Sequence, residues 1–312
     1  MAIILTILSM LMTCGADLFE KKSVRSTTEE VLKTLVWYGI FNAILFCLIV
    51  LFGIDKTTVS LLEFLAKKPI SLLPSILNYT CLFFALVAYK YVGVSVRNTF
   101  ANTDGLFFIL ILVIYYFITG NAEYTTRLFN PLTIVGLVLV ISAGIIYPHI
   151  SKSRNKDEEN ITLKESSKTI LILGIIISFV SAFFDGAESM VTSTLIGEEI
   201  IDSTEYMLIS SFIHVIISFF IWIYFLIKNK KPYNPFRKTE KYRFIGQLFL
   251  LTSDIFYVFA LSNDALLGII LWSAFPILDI VGARVFLKER LSRFQYAILF
   301  MMILGAVFIS MS

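Results

Sequence analysis

The chain has 312 residues, a formal net charge of +3 and a mean hydropathy of +0.83, with 57% hydrophobic and only 16% charged residues. A soluble domain carries about a quarter charged residues, so this much apolar surface cannot all enter one water-soluble core and must face lipid. Cys14, Cys47 and Cys81 sit in apolar segments without metal or disulfide spacing, and two histidines do not make a histidine-rich metal centre.

Apolar segments at 2–19, 34–53, 70–93, 98–120, 130–149, 169–187, 207–227, 244–262, 264–283 and 293–311 predict ten helices. Each is near the twenty residues that a helix needs to cross the hydrocarbon. The expected fold class is therefore an all-α integral membrane protein with ten transmembrane helices. A barrel is disfavoured because barrel strands are shorter and strictly alternating. The first segment has no basic region ahead of it, and its basic residues follow it, which reads as a first membrane helix rather than a cleaved signal. Asn130-Pro131 opens the fifth helix. The polar run "SKSRNKDEEN" at 151–160 divides the chain into a first five-helix repeat (1–150), a linker (151–168) and a second five-helix repeat (169–312).

Every lysine and arginine except Lys56, Lys67, Lys68 and Arg127 falls in the connections after helices one, three, five, seven and nine, counted with their helix ends. The positive-inside rule places those connections in the cytoplasm and, with ten helices, both termini outside. The connection after helix six instead carries Glu198, Glu199, Asp202 and Glu205. The basic 228–243 stretch reads as a topology signal and lipid-headgroup contact, not as a nucleic-acid site.

The halves show weak self-similarity. Asp17 and Glu20 in "CGADLFEKKSV" match Asp185 and Glu188 in "SAFFDGAESMV", and Gly136 and Gly144 match Ala297 and Gly305. Small residues at such positions let helices approach closely. A repeated unit with an odd number of helices comes out in opposite orientation, the inverted-repeat plan of alternating-access carriers.

Ionisable groups in apolar helices are costly and are therefore candidates for function. Asn98 and Asn102 share a face at the start of helix four, with Arg97 and Asp104 close to it; they line a vestibule, or form a cap with a snorkelling arginine. Lys90 reads as a snorkelling residue. Asp254 lies mid-helix in "LTSDIFYVF", with Tyr257 on the same face; it binds a cationic group or a coupling proton, or is satisfied by neighbouring hydroxyls. Asp279 and Trp272 are two turns apart and suit a cationic or planar solute, or the tryptophan is interfacial. Pro276 between them frees a carbonyl and kinks the helix. Asp17 and Asp185, near predicted helix ends, read more simply as surface carboxylates. No nucleotide loop, metal cluster or catalytic dyad is recognisable, so no cofactor is expected.

The last fifty residues carry a further pattern. Pro276 stands inside helix nine, a Leu-x-Glu-Arg turn follows at Leu287, Glu289 and Arg290, then Gln295 and a small-residue helix with Gly305. This resembles the end of the drug/metabolite transporter superfamily in its ten-helix EamA-like branch, with a worn version around Glu123, Gly136 and Gly144 in the first half. The resemblance implies two inverted five-helix halves around a central cavity and a carrier that does not hydrolyse ATP. Members of that superfamily move amino acids, nucleotide sugars, purines, choline and similar solutes. It also implies a structural role for Glu289 and Arg290, such as holding helix nine to helix ten. Its bacterial members keep both termini in the cytoplasm, against the charge count.

The function expected is secondary transport of a small polar organic metabolite by alternating access, in the cell membrane of a bacterium. The partners expected are that solute, protons as a coupling ion, membrane lipids and a second copy of the chain, with no nucleic acid. An intramembrane lipid-modifying enzyme needs carboxylates or histidines clustered at one membrane face, and the acids look scattered along the sequence. A receptor or scaffold needs no polar cavity.

Overall fold

The computed structural model describes residues 2–24, 27–52, 68–101, 130–150, 168–197, 200–230, 232–263 and 275–311, with 103, 104, 107, 110, 111, 114 and 118. Among them are ten α-helices: α1 (Ala2–Ser23), α2 (Thr28–Phe52), α3 (Leu72–Ala88), α4 (Val94–Ala101), α5 (Pro131–Ile150), α6 (Lys168–Gly197), α7 (Ser203–Asn229), α8 (Lys241–Asn263), α9 (Pro276–Phe286) and α10 (Arg293–Ser310). No strand is present among the described residues.

The expectation of ten transmembrane helices in two inverted repeats is corrected. Among the described residues, five helices are long and apolar enough to cross a membrane: Ile3–Ser23, Thr28–Leu51, Pro69–Ala88, Thr169–Thr192 and Thr204–Asn229. The other helices are described over shorter stretches: α4 over 8 residues and α9 over 11, each close to residues outside the described ones, and the apolar stretches of α5 and α10 over Pro131–Val140 and Arg293–Ile309. Helix α8 opens on Lys241 and Arg243 and carries Gln247 and Asp254. The long helices bare apolar side chains such as Ile4, Leu51, Ile76, Ile176, Phe220 and Ile227, which suits contact with lipid and not with water.

Several ends have local causes. Asp202 caps α7 by accepting from the backbone of Thr204 and Glu205, and Glu205 returns a bond to the Asp202 N–H, a reciprocal capping box. Ser292 and Gln295 do the same for α10. Lys230 ends α7 at φ 53, a left-handed conformation. Pro276 is the first residue of α9, where its missing N–H is not needed; the residues on which a kink was expected before it lie outside the described residues.

The most extensive helix packing is between α1 and α8, α3 and α6, α5 and α10, and α2 and α7. Exchanging α1–α5 for α6–α10 carries these pairs onto one another. Two bonded hydroxyls join α1 to α8: the Ser9 hydroxyl donates to the Ser253 carbonyl (3.0 Å) and the Ser253 hydroxyl to the Ser9 carbonyl (3.0 Å). Across α3 and α6, Ser181 donates to the Cys81 carbonyl (3.1 Å). At α5–α10, Gly136 and Gly305 meet backbone to backbone. One apolar core joins α4, α5, α6 and α10 around Phe100, Tyr147 and Met302; a second joins α1, α2, α3 and α9 around Leu35, Leu86 and Tyr89.

Among the described residues, the basic connections after α1, α3 and α7 gather at one end of the bundle. Lys21, near the end of α1, donates to the Tyr89 and Val92 carbonyls after α3. Arg243, at the start of α8, donates to the Ser23 carbonyl (2.8 Å) and to the Thr34 hydroxyl (3.2 Å), and pairs with Glu240. Part of the basic 228–243 stretch is thus buried and joins three helices. At the other end Lys68 donates to the Ile200 carbonyl (2.6 Å).

Candidate functional site

A polar network lies inside this apolar bundle. Asp17 on α1 accepts from the Tyr89 hydroxyl (2.6 Å) and from the Asn98 side-chain amide (2.6 Å). The same amide group donates to Asp279 on α9 (2.7 Å). One asparagine therefore bridges two carboxylates. Arg97 lies 3.9 Å from Asp17, donates to the Asn98 side-chain oxygen Oδ1, and stacks its guanidinium 5.1 Å from the Tyr89 ring centre. Asp17, Asn98 and Asp279 are all buried. One Asp279 oxygen, Oδ1, is buried with no hydrogen-bond partner among the described residues.

The network continues along α1 and α8. Glu20 is buried and accepts from the Gln247 amide (2.6 Å). The carbonyl end of Gln247 is then left buried and without a partner among the described residues. Seven residues on, about 10 Å along the helix axis, Asp254 has an exposed side chain. It stands within Coulombic range of Glu20 on α1 and Glu188 on α6. Glu188 accepts from the hydroxyls of Tyr206 (2.5 Å) and Thr192 (2.8 Å). Asp185, one turn earlier, is in range of Arg97.

The sequence-predicted residues fall as follows. Asn98 and Asp279 are bonded to each other. Asp254 faces the acids of α1 and α6. Tyr257 is within Coulombic range of Asp104, Asp185 and Glu188. Trp272 and Asn102 lie outside the described residues. Arg97 points into the network and does not snorkel outward. The acids, which look scattered along the chain, converge in space. Asp17, Glu20 and Glu188 are buried and Asp185 is half-buried, because α1 runs on to Ser23 and α6 to Gly197, beyond the apolar segments that predicted them. The missed members are Tyr89, Gln247 and the partnered role of Glu20 and Glu188; the matched Asp-x-x-Glu spacing in α1 and α6 was the signal.

Glu289 has a different task. Its carboxylate accepts from the Val94 N–H (2.8 Å), the Ser95 N–H (3.3 Å) and the Ser95 hydroxyl (3.0 Å). It caps α4 from the turn between α9 and α10, and so ties that turn to α4 where a link from helix nine to helix ten was expected. Arg290 follows it in the turn, and Gly305 serves the α5–α10 contact. Gly93 admits the carboxylate, since a Cβ there would sit 2.7 Å from Glu289 Oε2. Glu289→Ala is expected to cost about 1–2 kcal/mol, as loss of a cap does, with thermal unfolding in detergent as the measurement; Glu289→Gln, which keeps one acceptor, should lose less.

Among the described residues no group of His, Cys, Asp and Glu could hold a metal ion. His214 is a buried core residue that bonds the Ser75 carbonyl (3.0 Å) and Asn42 (3.3 Å). No family model and no curated protein matches the chain by sequence. By fold, 11 solved chains match. One, described only as the crystal structure of a protein, is 14% identical with a TM-score of 0.54, and the match covers 99% of this chain and 95% of that one. At that identity the likeness establishes that the whole helical arrangement occurs in another protein, and nothing about what either one does.

Proposed function

We propose that the protein is a multi-pass carrier in a bacterial cell membrane, moving a small polar organic solute by alternating access without ATP hydrolysis. The observation that carries this reading is the convergence of charged groups from α1, α4, α6 and α9, with Gln247 of α8, inside an apolar bundle. Burying Asp17, Glu20, Glu188 and Asp279 is expensive, and a structural role would be served by apolar residues at lower cost. A polar site between helices is where such carriers hold solute. The resemblance of the Pro276–Gly305 region to the drug/metabolite transporter superfamily supports the same reading. Protons coupled through Asp254, and a second copy of the chain as partner, belong to it as further proposals.

The test is exchange from liposomes. Wild type and Asp254→Asn are reconstituted in vesicles loaded with a metabolite pool, and mass spectrometry identifies what leaves. One solute class should leave with wild type and at least about tenfold more slowly with Asp254→Asn, the effect of about 1.4 kcal/mol at the site. No exchange by folded wild type, with and without a proton gradient, would sink the carrier reading.

One observation favours a second reading. Asp17 and Asp279 share a single amide group, the kind of carboxylate pair that an intramembrane enzyme acting on lipid would use. That reading requires new lipid products in the same vesicles.

A further inference from the structure

The network is short of positive charge. Arg97 is the cation in contact with Asp17, and it is also within Coulombic range of Glu20, Asp185 and Asp279. Lys21 is turned away onto the Tyr89 and Val92 carbonyls at the basic end of the bundle. One guanidinium thus faces four carboxylates, with Glu188 and Asp254 beyond them.

The unused polar atoms of the network favour acceptors. Three of its side chains are buried with an unused atom among the described residues: Asp279 and Gln247 each leave an acceptor, and Arg97 leaves one donor, Nε. Asp279 is fully buried and its Oδ1 has no partner among the described residues, while Oδ2 takes the Asn98 amide. Gln247 is 1% exposed and its Oε1 has no partner among the described residues. With Glu20 ionised it can only accept, so the Gln247 nitrogen faces it. The two acceptors lie at the ends of two bonded groups, Gln247 with Glu20 and Asp279 with Asn98 and Asp17, and Asp17 and Glu20 are three residues apart on α1. A buried acceptor without a donor is costly, and a buried surplus of carboxylates is costlier.

We infer that the solute is a small organic cation with N–H donors, a primary amine or a guanidinium compound, held by Asp279 and Gln247 and balanced by Asp17 and Glu20. This rests on the carrier reading for its transport and on the two unused acceptors for its chemistry. A quaternary ammonium would supply the charge and leave both acceptors empty. A neutral alcohol would supply a donor without the charge. An anion would add to a repulsion already in place. A site built for N–H donors discriminates strongly against ligands that lack them.

Binding is measured on the full-length protein in detergent as the shift in thermal unfolding with five probes: 1,4-diaminobutane, agmatine, tetramethylammonium, 1,4-butanediol and succinate. The diamine or agmatine should raise the midpoint in proportion to the logarithm of its concentration, and the other three should not. Asp279→Asn and Gln247→Met should each weaken the apparent affinity at least about tenfold, as loss of one charged or buried acceptor does. If Asp279→Asn fails to fold, Gln247→Met, which conserves volume, carries the test. Stabilisation by succinate, by the diol, or equally by tetramethylammonium overturns the inference. So does no stabilisation by any probe, which would mean that bound protons neutralise the acids. Vesicle exchange of the same probes separates the two readings: an amine that binds but never crosses refutes the carrier, and an anion that crosses refutes the cation site.

Discussion

Arg97→Met lowers the unfolding midpoint more than any other single change to the polar network. Breaking a buried ion pair from one side costs about 3–5 kcal/mol, because the remaining charge is stranded. Here the stranded group is Asp17, which is buried and keeps only Tyr89 and Asn98. Methionine retains the packing on the Tyr89 ring, so the loss reports charge more than volume. Adding Asp17→Asn to Arg97→Met should restore part of the stability, with an interaction of about 0.5–3 kcal/mol between contacting residues. The measurement is thermal unfolding in detergent by intrinsic fluorescence. A single variant as stable as wild type would show that the guanidinium is not the counter-ion of Asp17.

Gly136→Leu is expected to remove most of the folded protein. A Cβ on Gly136 would lie 2.5 Å from the Gly305 carbonyl oxygen and 2.7 Å from Ile309, and one on Gly305 would lie 2.8 Å from the Gly136 carbonyl. The clash is with backbone, which no rotamer relieves. Overpacking costs about 1–3 kcal/mol where side chains can move, and the cost here lies at or above the top of that range. Gly246→Ala is the control. Its Cβ would meet nothing closer than 3.4 Å, so its midpoint should stay within about 0.5 kcal/mol of wild type, as for an ordinary tolerated change. Size-exclusion chromatography of the detergent extract reads both. Equal yields of monodisperse protein would mean that α5 and α10 are not in this contact.

The helices were legible in the sequence where apolar runs are long and uninterrupted. Their ends were not, because hydropathy stops at the first charge and the helix does not. Helix α1 runs through Glu20, Lys21 and Lys22 because Glu20 finds Gln247 and Lys21 finds the carbonyls after α3. Those partners lie far along the chain and leave no local trace. The start of α7 did leave one: Asp202 and Glu205 read as an acidic loop, but their spacing is that of a capping box. The count of membrane spans went the other way: ten were read from hydropathy, and among the described residues five helices are long and apolar enough to cross a membrane. Of the site, Asn98, Asp254 and Asp279 stood out because each is polar in apolar surroundings. Tyr89 and Gln247 did not, because nothing but the fold brings them to the acids.

The hydroxyl contacts between Ser9 and Ser253 have a mechanical consequence. They are backbone-directed on both sides and lie halfway along a long seam, so α1 and α8 slide past each other only by breaking both at once. Asp17 and Glu20 ride on one of these helices and Gln247 and Asp254 on the other. The Ser181 bond to the Cys81 carbonyl couples α6, with Asp185 and Glu188, to α3 in the same way. The bonded units of this molecule are therefore helix pairs that each join one helix of the N-terminal half to one of the C-terminal half. A motion between the α1–α8 pair and the α3–α6 pair would draw Glu20 and Glu188 apart or together while Glu20 keeps Gln247 and Glu188 keeps Thr192.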